Sequence, residues 1–210
     1  VHYTWHWFHH WGTGECGNNA THYVDVARWA LNVTFPTRVT CGGGRLFHEG
    51  DDWEWFDTQA ATFEFPGNRF MTWEGLTSVR ARPYEGFSTG CMIYGLKGAV
   101  LFTPNNVCTL FDPSGKELKK WTAKDVVGDA TNRTDPTQGL DATHLSNFVN
   151  CIREKNPATA APAGIAHTST LLTHLANIAH RTGETVKVNP ETGRLAAGSP
   201  GAELWAREYE

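Results

Sequence analysis

The sequence has no uncharged apolar run approaching the ~18 residues that cross a membrane as a helix, so no such span is expected. It has no block of lysine and arginine. Eighteen basic residues stand against 22 acidic ones, a formal net charge of -4. That balance argues against nucleic acid as the main partner and against an anionic membrane surface. Cysteine is sparse: Cys16, Cys41, Cys91, Cys108 and Cys151 are scattered, odd in number and never spaced CxxC. A disulfide scaffold or zinc knuckle is therefore not expected, and a reducing compartment is the default reading. The 21 glycines follow no three-residue period, which excludes collagen. There is no HExxH or phosphate-loop motif, so no zincin or phosphate-loop NTPase is indicated by pattern.

What is present is a chain of 210 residues, 40% apolar and 12% aromatic, enough for a globular domain with a sizeable core. Nine tryptophans are unusual, and five fall early: Trp5, Trp7, Trp11, Trp29 and Trp53. Such density suits either a wall for sugars or other ring-shaped ligands, or an aromatic core or subunit interface. The chain opens at Val1, directly in VHYTWHWF, which implies a truncated or processed product.

Residues 1–11 read as a strand, followed by a glycine-rich loop and a helix over 18–31 that Asn18 or Asn19 could cap. From 37 to 112 strands are expected at Arg38–Cys41, Trp53–Phe65, Arg69–Glu74, Gly90–Tyr94, Ala99–Thr103 and Val107–Phe111. Residues 123–140 read as a polar loop. Asp141 then caps a helix with Leu145, Phe148, Val149 and Ile152 on one face, and a second helix covers 162–181. A short helix is expected in Gly201–Glu210. The order implies one α+β domain over 1–210, with helices packed on one face of a mostly antiparallel sheet.

Four groups could carry chemistry. Gly12-Thr-Gly-Glu-Cys-Gly17 matches GxGxxG, but histidines replace the apolar residues of a nucleotide-binding strand, and the region near residue 37, where a ribose-binding acid belongs, has none until Glu49. No cofactor-binding residue is assigned there. On a strand, His2, His6 and His10 would share one face roughly 13 Å apart, too far to hold one metal, and no metal site is assigned. The third group is Asn18, Asn19, His22 and Asp25 at the helix start. His22 and Asp25 are three apart, so the carboxylate could orient the imidazole, though His22 as a capping or core residue is the alternative. The fourth is the acidic turn His48-Glu-Gly-Asp-Asp-Trp-Glu-Trp55. Its acids could bind sugar hydroxyls, but a solvated loop is the first expectation.

The segment Gly14-Glu-Cys-Gly-Asn18-Asn-Ala-Thr-His22-Tyr-Val-Asp25 resembles the motif that opens the substrate domain of the Gfo/Idh/MocA oxidoreductases. FEFPGNRFMTWEG, GLKGAVLF, Ala176-Asn-Ile-Ala-His-Arg-Thr-Gly and Leu204-Trp-Ala-Arg-Glu-Tyr extend the resemblance over nearly the whole chain. It implies the C-terminal domain of such an enzyme, without the Rossmann domain that binds NAD or NADP and carries a Glu-Lys-Pro motif. It also implies an open sheet face used in homodimers or homotetramers, and a sugar or cyclitol substrate oxidised at a hydroxyl. Under it His22 is the catalytic histidine, and Asn18, where most members have Asp, is a substrate contact with Asn19 and Asp25. Trp5, Trp7, His9 and His10 form a sugar wall. The rivals are a self-standing carbohydrate-binding or oligomerisation module, and a cofactor-free or metal-dependent sugar lyase, hydrolase or epimerase.

Overall fold

The computed structural model describes residues 2, 4–78, 86, 88–104, 107–122 and 138–206, and of 138–141 the backbone alone. The loop expected over 123–140 lies outside the described residues as far as 137. The chain divides into two compact units, one of residues 1–79 with 166–210, the other of 80–165.

The first unit is built on a four-stranded antiparallel sheet of β1 (Arg38–Gly44), β2 (Thr58–Phe65), β3 (Arg69–Leu76) and the short β8 (Val186–Lys187), in the order β3-β2-β1-β8. β2 shows why these residues make a half-buried strand. Gln59, Ala61, Phe63 and Phe65 point inward while Ala60, Thr62 and Glu64 point outward, the period of two that a pleat requires. Phe63 faces Met71 of β3 and Val39 of β1 on the same buried side. The β2–β3 hairpin turns at Pro66-Gly-Asn68, where Gly67 and Asn68 both take positive φ.

Helix α1 (Thr21–Leu31) and α3 (Ala163–Thr182) supply the apolar stripes. From α3, Leu171, Leu172, Leu175, Ala176, Ile178 and Ala179 are buried at helical spacing; from α1, Val24 and Ala27 are. Each fully buried leucine or phenylalanine contributes about 1.5–3 kcal/mol. α1 stops at Asn32, which adopts a left-handed conformation (φ 51°) and sends its N–H back to the Trp29 carbonyl. Polar ties fix how the layers meet. Arg28 of α1 donates to Ser169 Oγ (2.8 Å), and Ser169 in turn donates to Asp25. Asn177 of α3 donates to the Thr13 carbonyl (2.8 Å) and accepts from Gln59 Nε2 of β2 (3.3 Å).

The second unit holds β4 (Cys91–Gly95), β5 (Gly98–Thr103), β6 (Val107–Phe111) and β7 (Glu117–Trp121), a sequential antiparallel meander. Leu96-Lys97 makes the two-residue turn between β4 and β5. Gly98 after it is held at φ 141°, its Cα so close to the Phe111 carbonyl that a Cβ would lie 2.1 Å away. The β6–β7 turn is organised by Asp112, whose Oδ1 accepts from the Ser114 and Lys116 N–H groups. Helix α2 (Gln138–Arg153) follows, starting three residues before Asp141. Its expected apolar face forms, but Leu145, Phe148, Val149 and Ile152 are exposed while Cys151 is buried.

The α+β class is as expected, realised among the described residues as two four-stranded sheets. Four sequence expectations are corrected. The opening segment is not a strand: Thr4–Trp7 is a 3-10 turn. The second expected strand is shorter, beginning at Thr58, because residues 53–57 serve as an irregular clip described below. Neither Asn18 nor Asn19 caps α1, since helical backbone already runs from Glu15 through a π-helical turn, Cys16–Ala20, into α1. The tail makes only a 3-10 turn, Ala202–Leu204; residues 207–210 are outside the described residues. Among the described residues no helix is long and apolar enough to cross a membrane.

The buried Asn177 is the polar hinge between α3, β2 and the glycine-rich loop. Asn177→Ala leaves the Thr13 carbonyl and the Gln59 amide short of a partner, at a cost of about 1–3 kcal/mol. Urea unfolding followed by circular dichroism measures it.

Candidate functional site

The opening segment turns back on itself. Phe8 N–H bonds to the Trp5 carbonyl (3.2 Å), and Trp11 and Gly12 N–H groups both bond to that of Phe8 (3.1 and 2.8 Å). The Trp7 carbonyl then accepts from Glu54 and Trp55, each at 3.0 Å, which clips the segment onto residues 53–55. Strand alternation therefore does not apply. His6 is buried and His10 exposed, so they do not share a face.

The glycines of the GxGxxG match serve this folding-back. A Cβ at Gly12 would lie 2.2 Å from His6 Cα, one at Gly17 1.9 Å from Thr13 Oγ1, and one at Gly14 (φ 67°) 2.9 Å from the Trp55 side chain. The Trp55 indole donates to the Gly12 carbonyl (3.1 Å). These residues pack the chain against itself, which accounts for all three positions.

The early aromatics divide. Trp7 is buried and stacked on Trp53 at 4.3 Å with rings nearly parallel. His6 lies against Trp7 (4.8 Å) and His48 against Trp53 (4.6 Å), making a column of four rings. His9 meets Trp55 edge-on at 4.5 Å, and its backbone N–H and ring both face the Glu54 carboxylate. Trp5, by contrast, is 52% exposed. Of the expected sugar wall, Trp7 and His9 are committed to protein contacts, whereas Trp5 and His10 face solvent.

The helical group separates in the same way. His22 is exposed on the first turn of α1, directly after the π-helical turn that carries Asn18 and Asn19. Asn19 donates to Glu15, one helical turn earlier. Asp25 is turned toward Ser169 and Arg28 (3.6 Å to Nη2), so its described partners tie α1 to α3. π-helical turns are uncommon and recur at functional sites, where the extra residue re-aims side chains.

The acidic turn after β1 was expected as a solvated loop, yet it is held firmly. Asp57 is buried, and its carboxylate accepts the N–H groups of Leu46 (3.0 Å), Phe47 (2.9 Å) and His48 (3.0 Å). Burial alone would raise its pKa. The three N–H groups and the Thr58 hydroxyl outweigh burial and hold the carboxyl below its ordinary value. Arg45 closes the loop by donating to the His48 (2.6 Å) and Asp51 carbonyls. Sequence reasoning missed this centre. Leu-Phe-His followed nine residues later by a lone Asp carries no motif signal.

His180 of α3 also belongs to a polar cluster. It stacks on Phe56 at 3.5 Å, and its Nδ1 lies 3.0 Å from Gln59 Nε2. Burial lowers its pKa, outweighing a bond to the Gly43 backbone that acts the other way. Nearby thiols are suppressed: burial pushes Cys41 up to about 12 and Cys16 well above its ordinary value, so neither is a nucleophile near neutral pH. Among the described residues no three His, Cys, Asp or Glu side chains converge on a metal position.

No family model matches the chain, and no curated protein matches it by sequence. Solved structures do share its fold. A levoglucosan dehydrogenase in complex with NADH and L-sorbose aligns over 86% of this chain and 52% of its own, with TM-score 0.65 and 14% identity. An aldose-aldose oxidoreductase from Caulobacter crescentus, complexed with glycerol, aligns over 88% and 50%, with TM-score 0.63 and 17% identity. An oxidoreductase from Agrobacterium radiobacter, with NAD+, L-tartaric acid and magnesium, gives 80%, 47%, 0.57 and 14%. The fold is thus one found in oxidoreductases, and this chain spans about half their length.

Asp57 and His180 set opposite ends of an acid response. A depressed carboxyl contributes stability above its unfolded pKa, near 3.9, and that stability is lost as pH falls through the lower folded value. A depressed histidine pKa means the unfolded chain binds the proton first. Stability therefore begins to fall as pH drops through about 6.5 and levels below the folded value. The urea midpoint should decline in two steps, near pH 6 and below pH 4. His180→Gln removes the first step and Asp57→Asn the second.

Proposed function

We propose that this chain, residues 1–210, is the substrate and oligomerisation domain of an NAD(P)-dependent oxidoreductase acting on a hydroxyl of a sugar or cyclitol. The observation that supports it best is the fold shared over 86% of the chain with a levoglucosan dehydrogenase. The sequence resemblance at Asn18–Asp25 points the same way, as does an exposed His22 directly after a π-helical turn.

In this reading the nicotinamide supplies the hydride acceptor and is held mainly by a separate domain, since the GxGxxG glycines here are taken up in packing. The residues of this chain hold the sugar and move the proton. His22 accepts the hydroxyl proton on an imidazole nitrogen, raising electron density on the carbon that loses hydride. Asn18, an amide, cannot serve as a base; it and Asn19 hydrogen-bond neighbouring hydroxyls. Trp5 and His10 border the ring, while Trp7 and His9 brace them from behind. Asp25 fixes α1 through Ser169, which sets the direction of His22. Copies pair through an open sheet face.

The test uses the full-length protein with NAD+ or NADP+ and a panel of aldoses and cyclitols, following reduced nicotinamide at 340 nm. His22→Gln should lower kcat/KM by about 10²–10⁴-fold while leaving the melting temperature unchanged, because the side chain is exposed. Full activity of that variant removes His22 from the reaction. Sugar binding with no turnover in the wild type replaces the enzyme reading with a carbohydrate-binding module.

A further inference from the structure

We propose that Ser78, His48 and Asp51 form a second chemical centre, a serine nucleophile with its base and its orienting acid, that transfers the acyl group of a carboxylic ester. The reading is independent of the oxidoreductase proposal. Ser78 Oγ lies 2.9 Å from His48 Nε2, and Asp51 Oδ2 lies 3.1 Å from His48 Nδ1. The two contacts fall on opposite ring nitrogens, as a serine–histidine–acid relay requires. The carboxylate accepts from Nδ1–H and so selects the tautomer whose Nε2 lone pair takes the serine proton. Such relays are recognised by geometry and role, because their residue order differs between folds. That Ser78 itself stands outside any GxSxG pattern is therefore no bar.

The surrounding structure pre-positions all three residues. His48 is anchored through its N–H to the Asp57 carboxylate (3.0 Å) and through its carbonyl to Arg45 (2.6 Å). Arg45 also holds the Asp51 carbonyl, and the Asp51 N–H returns to that of His48 (3.3 Å). Next to Ser78, the Thr77 N–H and hydroxyl both bond to the Asp57 carbonyl, at 3.1 and 2.7 Å. One buried residue thus fixes the backbone on both sides of the serine–histidine pair. The Trp53 ring, 4.6 Å from the imidazole, limits its rotation. The His48 and Asp51 side chains are 35% and 48% exposed, and Ser78 is exposed, so a substrate can reach the hydroxyl.

The reaction balances without any other co-reactant than water. Ser78 Oγ attacks the ester carbonyl carbon while its proton passes to His48 Nε2. The bond to the alcohol oxygen breaks, and the departing alkoxide takes that proton. Water then attacks the acyl-serine, delivering a proton to His48, and Ser78 recovers it as the carboxylic acid leaves. An ester fits better than an amide because its alkoxide leaves more readily than an amine anion.

The test treats the full-length protein with a fluorophosphonate, which forms an O–P bond with an activated serine and expels fluoride, and maps the label by peptide mass. The expected result is one label per chain, on Ser78, lost in Ser78→Ala and formed at least ~100-fold more slowly in His48→Ala. Asp51 acts through His48, so Asp51→Asn should slow labelling and Asp51→Glu should restore it. An unlabelled wild type, a label on another residue, or wild-type labelling rates in His48→Ala would overturn the proposal. Mapping on the wild-type protein keeps the test decisive even where a variant folds poorly.

Discussion

The carboxylate of Asp57, buried just before β2, collects the N–H groups of Leu46, Phe47 and His48. A buried charge is costly unless hydrogen bonds replace its water, and here the backbone does so. The same residue uses its carbonyl to hold Thr77 beyond β3. Two loops distant in sequence are thereby fixed to one point. With the first loop fixed, His48 and Trp53 stand in place, and Trp53 gives Trp7 a surface to stack on. The clip from Trp7 to Glu54 and Trp55 then turns the opening segment back toward Gly12 and Thr13. Thr13 completes the path by accepting from Asn177 in the core.

Under the proposed function, this path would position His22. His22 leaves the first turn of α1 after a π-helical turn, and the loop before that turn is fastened at Gly12 by the Trp55 indole. On the other side, α1 is locked to α3 by Arg28, Ser169 and Asp25. An exposed imidazole on a helix held at both ends is better positioned than one on a free loop, because orientation is paid for in folding rather than in each turnover.

The tryptophans show how composition can mislead in part. Trp7, Trp53 and Trp55 pack among histidines and glycines, an aromatic core in miniature. Trp5, Trp11 and Trp29 remain 52%, 67% and 72% exposed. Composition counts rings. It does not say which rings face each other.

The sequence by itself determined the elements with strong periods. The alternation of Ala61-Thr-Phe-Glu-Phe gave β2, Pro66-Gly-Asn68 gave its hairpin turn, and the leucines of α3 gave a buried helix face. These depend on neighbours a few residues away, so local physics decides them. The opening 3-10 turn, the use of Gly12, Gly14 and Gly17 in packing, and the column His6–Trp7–Trp53–His48 were decided only by tertiary structure. So were the grouping of Ser78 with His48 and Asp51 and the cluster of Gln59, Asn177 and His180. In these last two groups the separations run from three residues (His48–Asp51) to 121 (Gln59–His180) along the chain. A side chain's partner across such a separation is chosen by which elements pack together, and no local period records that choice.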